Sequence, residues 1–94
     1  MLNFTHVPGS SPHRVVLYAL STCGWCRKTK ALLREMNVAF DYEDVDQLDK
    51  EEGAMAMAEV KKWNPACSFP SLVIDNNRCI VGFQEEKIRE VLKG

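Results

Sequence analysis

Cys23 and Cys26, separated only by Gly24 and Trp25, are the side chains of this 94-residue chain whose type and spacing most directly specify chemistry. A thiolate attacks disulfides, and a second thiol two residues away is placed to resolve the mixed disulfide that forms. The same C-x-x-C spacing also serves zinc sites. A four-cysteine zinc site would need Cys67 and Cys79 as its second pair, and eleven residues separate those two where such pairs keep two to four. A zinc-binding module therefore stands as the alternative. His6 and His13 lie apart in a Pro/Gly/Ser-rich stretch and read as ordinary polar residues.

The flanking residues decide between these chemistries. Arg14 to Leu20, with Val15, Val16 and Tyr18, reads as a buried strand. From Trp25 the apolar positions 25, 29, 32, 33 and 36 fall on one face of a helix, with Asn37 as its C-cap. Cys23 thus falls where a buried strand meets a helix N-terminus, a place that favours negative charge and hence the thiolate. Arg27 and Lys28 in the first turn add to that effect. Cys26, one turn along, is expected to be more buried and to stay a thiol until needed. Cys23 would attack the target, and Cys26 would then release it and leave Cys23–Cys26 oxidised.

Further along, Val38, Phe40 and Tyr42 alternate with Ala39, Asp41 and Glu43 as a strand does, and the crossover through the helix makes this strand parallel to the first. Asp49 to Trp63 reads as a second helix with an Asp49/Glu52 capping box, although Gly53 suggests a later start. Ser71–Asp75 and Arg78–Gly82 are two strands joined at Asn76-Asn77, and Gln84 to Lys93 is a last helix ending at Gly94. The order β-α-β-α-β-β-α predicts an α/β fold with one mixed four-stranded sheet and three helices on its faces. Residues 1–13 read as a flexible arm and 14–94 as the domain.

Composition narrows the function classes. A net charge of -1 argues against a nucleic-acid partner. The longest apolar run, Val15 to Leu20, is too short to cross a bilayer, and residues 1–13 hold no signal-peptide core. A cytoplasmic monomer is expected. In that reducing setting a close cysteine pair is redox-active rather than a permanent staple.

Tyr18 to Lys28, YALSTCGWCRK, resembles the active-site segment of the glutaredoxin family. Phe69-Pro70 is similar to that family's cis-proline before the third strand, and Val81-Gly82-Phe83 to the end of its fourth. The resemblance implies a thioredoxin fold with strand order 2-1-3-4 and a cis Pro70 beside the cysteines. There the backbone of Phe69 can pair with an extended substrate segment. It further implies a substrate groove of Trp25, Phe69, Pro70, Gly82 and Phe83, and reduction of disulfide-containing proteins within cellular redox homeostasis. No resident metal or cofactor is implied beyond the redox-active disulfide.

The chain also departs from the family pattern. Leu20 stands where glutathione-using members carry Lys or Arg, and Gln84-Glu85 where they carry Ser/Thr-Asp or Asp-Asp. Phe69 replaces their usual valine, and Gly24 their usual proline. The expected electron donor is accordingly a protein reductase, of thioredoxin-reductase or ferredoxin-linked type. Glutathione dependence and iron–sulfur cluster carriage between two chains are the alternatives. Cys67, three residues before Pro70, is either a third exchanging thiol or a small buried hydrophobe, and Cys79 reads as structural.

Overall fold

The computed structural model describes residues 4–93, so the expectations for residues 1–3 and Gly94 lie outside it. Val15, Leu17 and Ala19 project to one side of a strand and Val16 and Tyr18 to the other, which gives it two apolar faces and a central place in the sheet. This strand, β2 (Val15–Ala19), is preceded by β1 (Thr5–Val7) and followed by helix α1 (Gly24–Glu35). The chain continues through β3 (Phe40–Asp44), a 3-10 turn at Val45–Gln47, α2 (Lys50–Trp63), β4 (Ser71–Ile74), β5 (Arg78–Val81) and α3 (Glu85–Leu92).

The four-stranded sheet of order 2-1-3-4 needs correction. The described residues form a five-stranded sheet of order β1-β3-β2-β4-β5, in which β2 and β3 are parallel and the other neighbours antiparallel. The expected strands are the contiguous β3-β2-β4-β5, in the expected order; β1, from the region read as an arm, adds a fifth at the β3 edge. Three residues are too few to show strand alternation, and Pro8-Gly9 follows at once, so no local pattern marks β1. Tertiary contacts make it. His6 Nδ1 meets Asp41 Oδ1 at 2.7 Å across the β1–β3 ladder, and Phe4 packs edge-on against Tyr18 at 5.7 Å.

The helices form two outer layers. Leu32 and Leu33 of α1 and Ile88 and Leu92 of α3 bury against Leu17, Phe40 and Leu72 on one face of the sheet. Ala56 and Val60 of α2 cover Tyr18 and Val73 on the other. In α1, Asn37 adopts φ +58 just past the Met36 C-cap; its N–H bonds Arg34 O and that of Val38 bonds Leu33 O, both at 3.0 Å. That pattern is a Schellman ending. In α2, the Asp49 carboxylate accepts the Glu52 N–H at 2.8 Å and the helix starts at Lys50, earlier than Gly53 suggested. The cap, Glu51 and Glu52 at the start, and Lys61 and Lys62 at the end offset the roughly 1 kcal/mol cost of one helical glycine. In the β4–β5 hairpin the positive φ angles fall on Asp75 and Asn76, one residue before the expected Asn76-Asn77. Asp75 is fixed there because its carboxylate accepts the Arg14 N–H at 2.9 Å and meets His13 Nδ1 at 2.8 Å.

Gly9 lets the chain after β1 pass tightly over the end of α1. A Cβ there would collide with backbone atoms of Asn37, Val38 and Ala39, which no side-chain rotation can relieve. Gly9→Ala should therefore cost about 1–3 kcal/mol in urea unfolding, the usual range for overpacking. It should also speed amide exchange in β1 relative to β2. Unchanged β1 protection would show that the close approach is soft.

Candidate active site

Leu20 to Thr22 turn the chain from β2 into α1, and Cys23 is the N-cap of that helix, in extended backbone. An N-cap side chain usually offers an oxygen to a first-turn N–H. Here Cys23 Sγ takes that part, accepting the Cys26 N–H at 3.2 Å. The sulfur sits at the positive end of the helix dipole with a donor aimed at it, a setting that suits a sulfur anion. Cys23 is half-buried, whereas Cys26 is 0% exposed. Burial pushes the Cys26 thiol up to about 12; the contact with Cys23 adds to this, and the charge of Lys30 opposes it.

Two braces hold this corner. Asp46 Oδ1 accepts the Ser21 N–H at 2.8 Å and Asp46 Oδ2 the Ser21 hydroxyl at 2.5 Å, bonds that hold the Asp46 carboxyl below its ordinary range. Lys30 Nζ bonds Asp44 Oδ1 at 2.9 Å and lies 4.2 Å over the Tyr42 ring, tying α1 to β3 one turn beyond Cys26. No local sequence pattern singles out Ser21, Asp44 or Asp46 for this role. The available signal was the parallel register: Ala19 pairs with Asp44, so Ser21 and Asp46, two residues on in each strand, leave the sheet side by side.

Trp25, Phe69, Pro70, Gly82 and Phe83 line one cleft of about 220 Å³. Three separate places in the chain supply them: the first turn of α1, the loop before β4, and the end of β5. The Phe69–Pro70 peptide is cis. Pro70 O accepts the Gly82 N–H at 2.9 Å, and Gly82 holds φ +82, where a side chain would be strained. Trp25, counted with the apolar face of α1 by its spacing, is 57% exposed; Cys26 takes the inward position with Thr29, Leu32 and Leu33. The indole instead stacks on Phe83, with ring centroids 5.8 Å apart and Lys28 Nζ 4.9 Å from the Trp25 centroid.

The other cysteines lie elsewhere. Cys67 and Cys79 pack against the α2-side cluster, while Cys26 belongs to the α1-side one. Among the described residues no three His, Cys, Asp or Glu side chains come together as metal ligands. Also among these residues, no helix is long and apolar enough to cross a membrane.

Comparison with known proteins agrees with this geometry. Residues 15–80 match the glutaredoxin family model. The crystal structure of the glutaredoxin from Methanosarcina mazei Go1 superposes with a TM-score of 0.89 at 46% identity, covering 97% of this chain and 88% of that one. Methanoredoxin from Methanosarcina acetivorans superposes with a TM-score of 0.88 at 44% identity, over 92% and 90% of the two chains. Glutaredoxin 1 of Rickettsia bellii is 35% identical over 65 residues, which are 68% of this chain and 64% of that protein. The match thus spans less than two thirds of that relative's length.

The asymmetry of the cysteine pair sets two expectations. At pH 7, iodoacetamide should label Cys23 of the folded, reduced protein at least tenfold faster than Cys26; peptide mass mapping over time would reveal the reverse order. The Cys26 thiol, raised from 9.0 to about 12, binds its proton more tightly folded than unfolded. Its contribution to stability is therefore complete below pH 9 and lost as pH rises toward 12. Urea midpoints of the reduced protein should fall across that window, and those of Cys26→Ala should fall less.

Proposed function

This chain belongs to the glutaredoxin family, and we propose that it is a dithiol thiol–disulfide oxidoreductase acting on protein disulfides. The observation that carries this reading is the helix-capping, half-exposed Cys23 sulfur with the fully buried Cys26 thiol one turn beneath it. The Cys23 thiolate attacks one sulfur of the target disulfide, whose S–S bond breaks and whose other sulfur leaves and takes a proton. Cys26 then loses its proton and attacks Cys23 Sγ. The Cys23–Cys26 bond forms, the second target sulfur leaves, and two electrons have passed from the dithiol to the target. The cleft beside Trp25 is suited to the peptide that flanks the target cysteine. Among the described residues Phe69, on its wall, makes no backbone hydrogen bond, so its N–H and C=O are available to an added strand.

The oxidised pair is recharged, in this reading, by a protein reductase rather than by glutathione. Glutathione carries two carboxylates and an amine that need charged partners. Leu20 packs into the α2-side cluster and offers none. Glu85 is bonded to Arg89 at 2.9 Å, which also bonds Glu35 at 2.9 Å, and no charged side chain lines the cleft. Of the cations that could substitute, Lys28 lies over Trp25, Lys62 pairs with Glu59 at 3.0 Å, and Lys61 is exposed in the last turn of α2, outside the residues that line the cleft. Each missing charge-assisted bond costs about 1.5–3 kcal/mol, so two weaken binding by about two orders of magnitude or more.

Two measurements test the reading. Cys26→Ser should accumulate a mixed disulfide with target proteins and Cys23→Ser should not. Steady-state turnover should be high with a thioredoxin-reductase-type or ferredoxin-linked enzyme and at least tenfold lower with glutathione plus glutathione reductase. Fast turnover with glutathione would reassign the donor, and a brown, iron-containing purified protein would favour cluster carriage.

A further inference from the structure

Asn64 is a polar side chain only 5% exposed, at the junction of α2 and the loop that carries Phe69 and Pro70. Its backbone N–H closes the helix on Val60 O at 2.7 Å, and Pro65 follows, so ending α2 requires nothing of its side chain. The amide instead reaches into the loop. Nδ2 lies 3.1 Å from Ser68 O, 2.9 Å from Ser68 Oγ and 3.2 Å from Ser71 Oγ, and Oδ1 accepts the Ala66 N–H at 3.2 Å. Ser71, itself 0% exposed, donates its hydroxyl to Ser68 O at 2.7 Å.

Phe69 and Pro70 are therefore bracketed by two residues, Ser68 and Ser71, that the same amide holds. From Pro70 the constraint passes on, since Pro70 O accepts the N–H of Gly82, which also lines the cleft. The position calls for a group that donates and accepts at once. A carboxylate would set like acceptors against Ser68 O, and alanine would leave the buried Ser71 hydroxyl one partner short.

We propose that Asn64 is a positioning residue for the substrate cleft, holding the Phe69–Pro70 wall opposite Trp25 and Phe83. It thereby sets how tightly the peptide flanking a target disulfide is bound, while the sulfur chemistry at Cys23 proceeds independently of it. The inference rests on protein disulfides being the substrate.

The test is a single-turnover reaction that needs no recharging donor. Pre-reduced protein is mixed with increasing excess of a model disulfide-linked peptide with apolar flanking residues, quenched in acid, and scored by mass for the Cys23–Cys26 disulfide. The concentration dependence separates half-saturation from the limiting rate. Asn64→Asp and Asn64→Ala should raise half-saturation about 5- to 10-fold, the scale of one hydrogen bond's worth of binding, with the limiting rate within twofold. Ser71→Ala should move it about 2- to 3-fold in the same direction, through the part of the network it removes. The iodoacetamide rate at Cys23 should not change in any of them. A lower limiting rate with unchanged half-saturation, or a loss that only tracks the unfolded fraction, overturns the proposal. If both Asn64 variants fail to fold, Ser71→Ala decides alone, and unchanged half-saturation there overturns it. Wild-type protein that does not oxidise at all would instead defeat the proposed function, and this inference with it.

Discussion

The bond from the Cys26 N–H to Cys23 Sγ joins two requirements that most proteins meet with separate atoms. A helix needs its first N–H groups satisfied, and a nucleophilic sulfur needs a donor and a favourable field. Here one contact does both, so the position of the sulfur is the position at which α1 begins. That start point is in turn fixed on both sides. Ser21 is held by Asp46 before the cysteine, and Lys30 by Asp44 after it, so the corner cannot shift without breaking a part-buried ion pair or a bidentate hydrogen bond.

The cleft depends on the same economy of anchoring. Its walls come from chain segments remote in sequence, yet each is fixed to a packed layer close by. Phe69 touches both hydrophobic clusters, one on each face of the sheet, so it sits over the end of the sheet rather than on either face. Phe83 packs with the α1-side cluster and carries Trp25 on its outer surface. A recess with apolar walls thus opens beside Trp25, two residues from Cys23, while the Cys26 thiol is sealed in the core. As the substrate cleft proposed above, such a recess would select by shape and apolar contact, because no charged side chain lines it.

How much of this could be read from the chain alone depended on whether the signal was local. Cys23, Cys26 and the helix that follows them were legible because a strand, a C-x-x-C and an amphipathic period are contiguous. The cleft residues were legible through resemblance to a known family, since no spacing rule connects Trp25 to Phe69 or Gly82. β1 was not legible: its ordering comes from His6 against Asp41, Phe4 against Tyr18, and the close passage at Gly9, all of them contacts distant in sequence. Trp25 misled for a different reason. A helical period gives a face about 100° wide, and the residue at its margin goes in or out according to what lies above it, here Phe83. Asn64, followed by Pro65, marks locally only the end of α2, because the groups its amide serves are fixed only when the loop has closed.

The N-terminal strand has a bearing on how the molecule behaves in a crowd of its own copies. Without it, the five-residue β3 would present an open row of N–H and C=O groups beside the most apolar part of the sheet. Such an edge recruits strands from other chains. β1 covers it with three residues, ends at once in Pro8-Gly9, and joins His6 to Asp41 of β3. The opposite edge, β5, is four residues long and begins with an exposed arginine. Both edge strands are thereby short, a feature that disfavours lateral pairing with other copies.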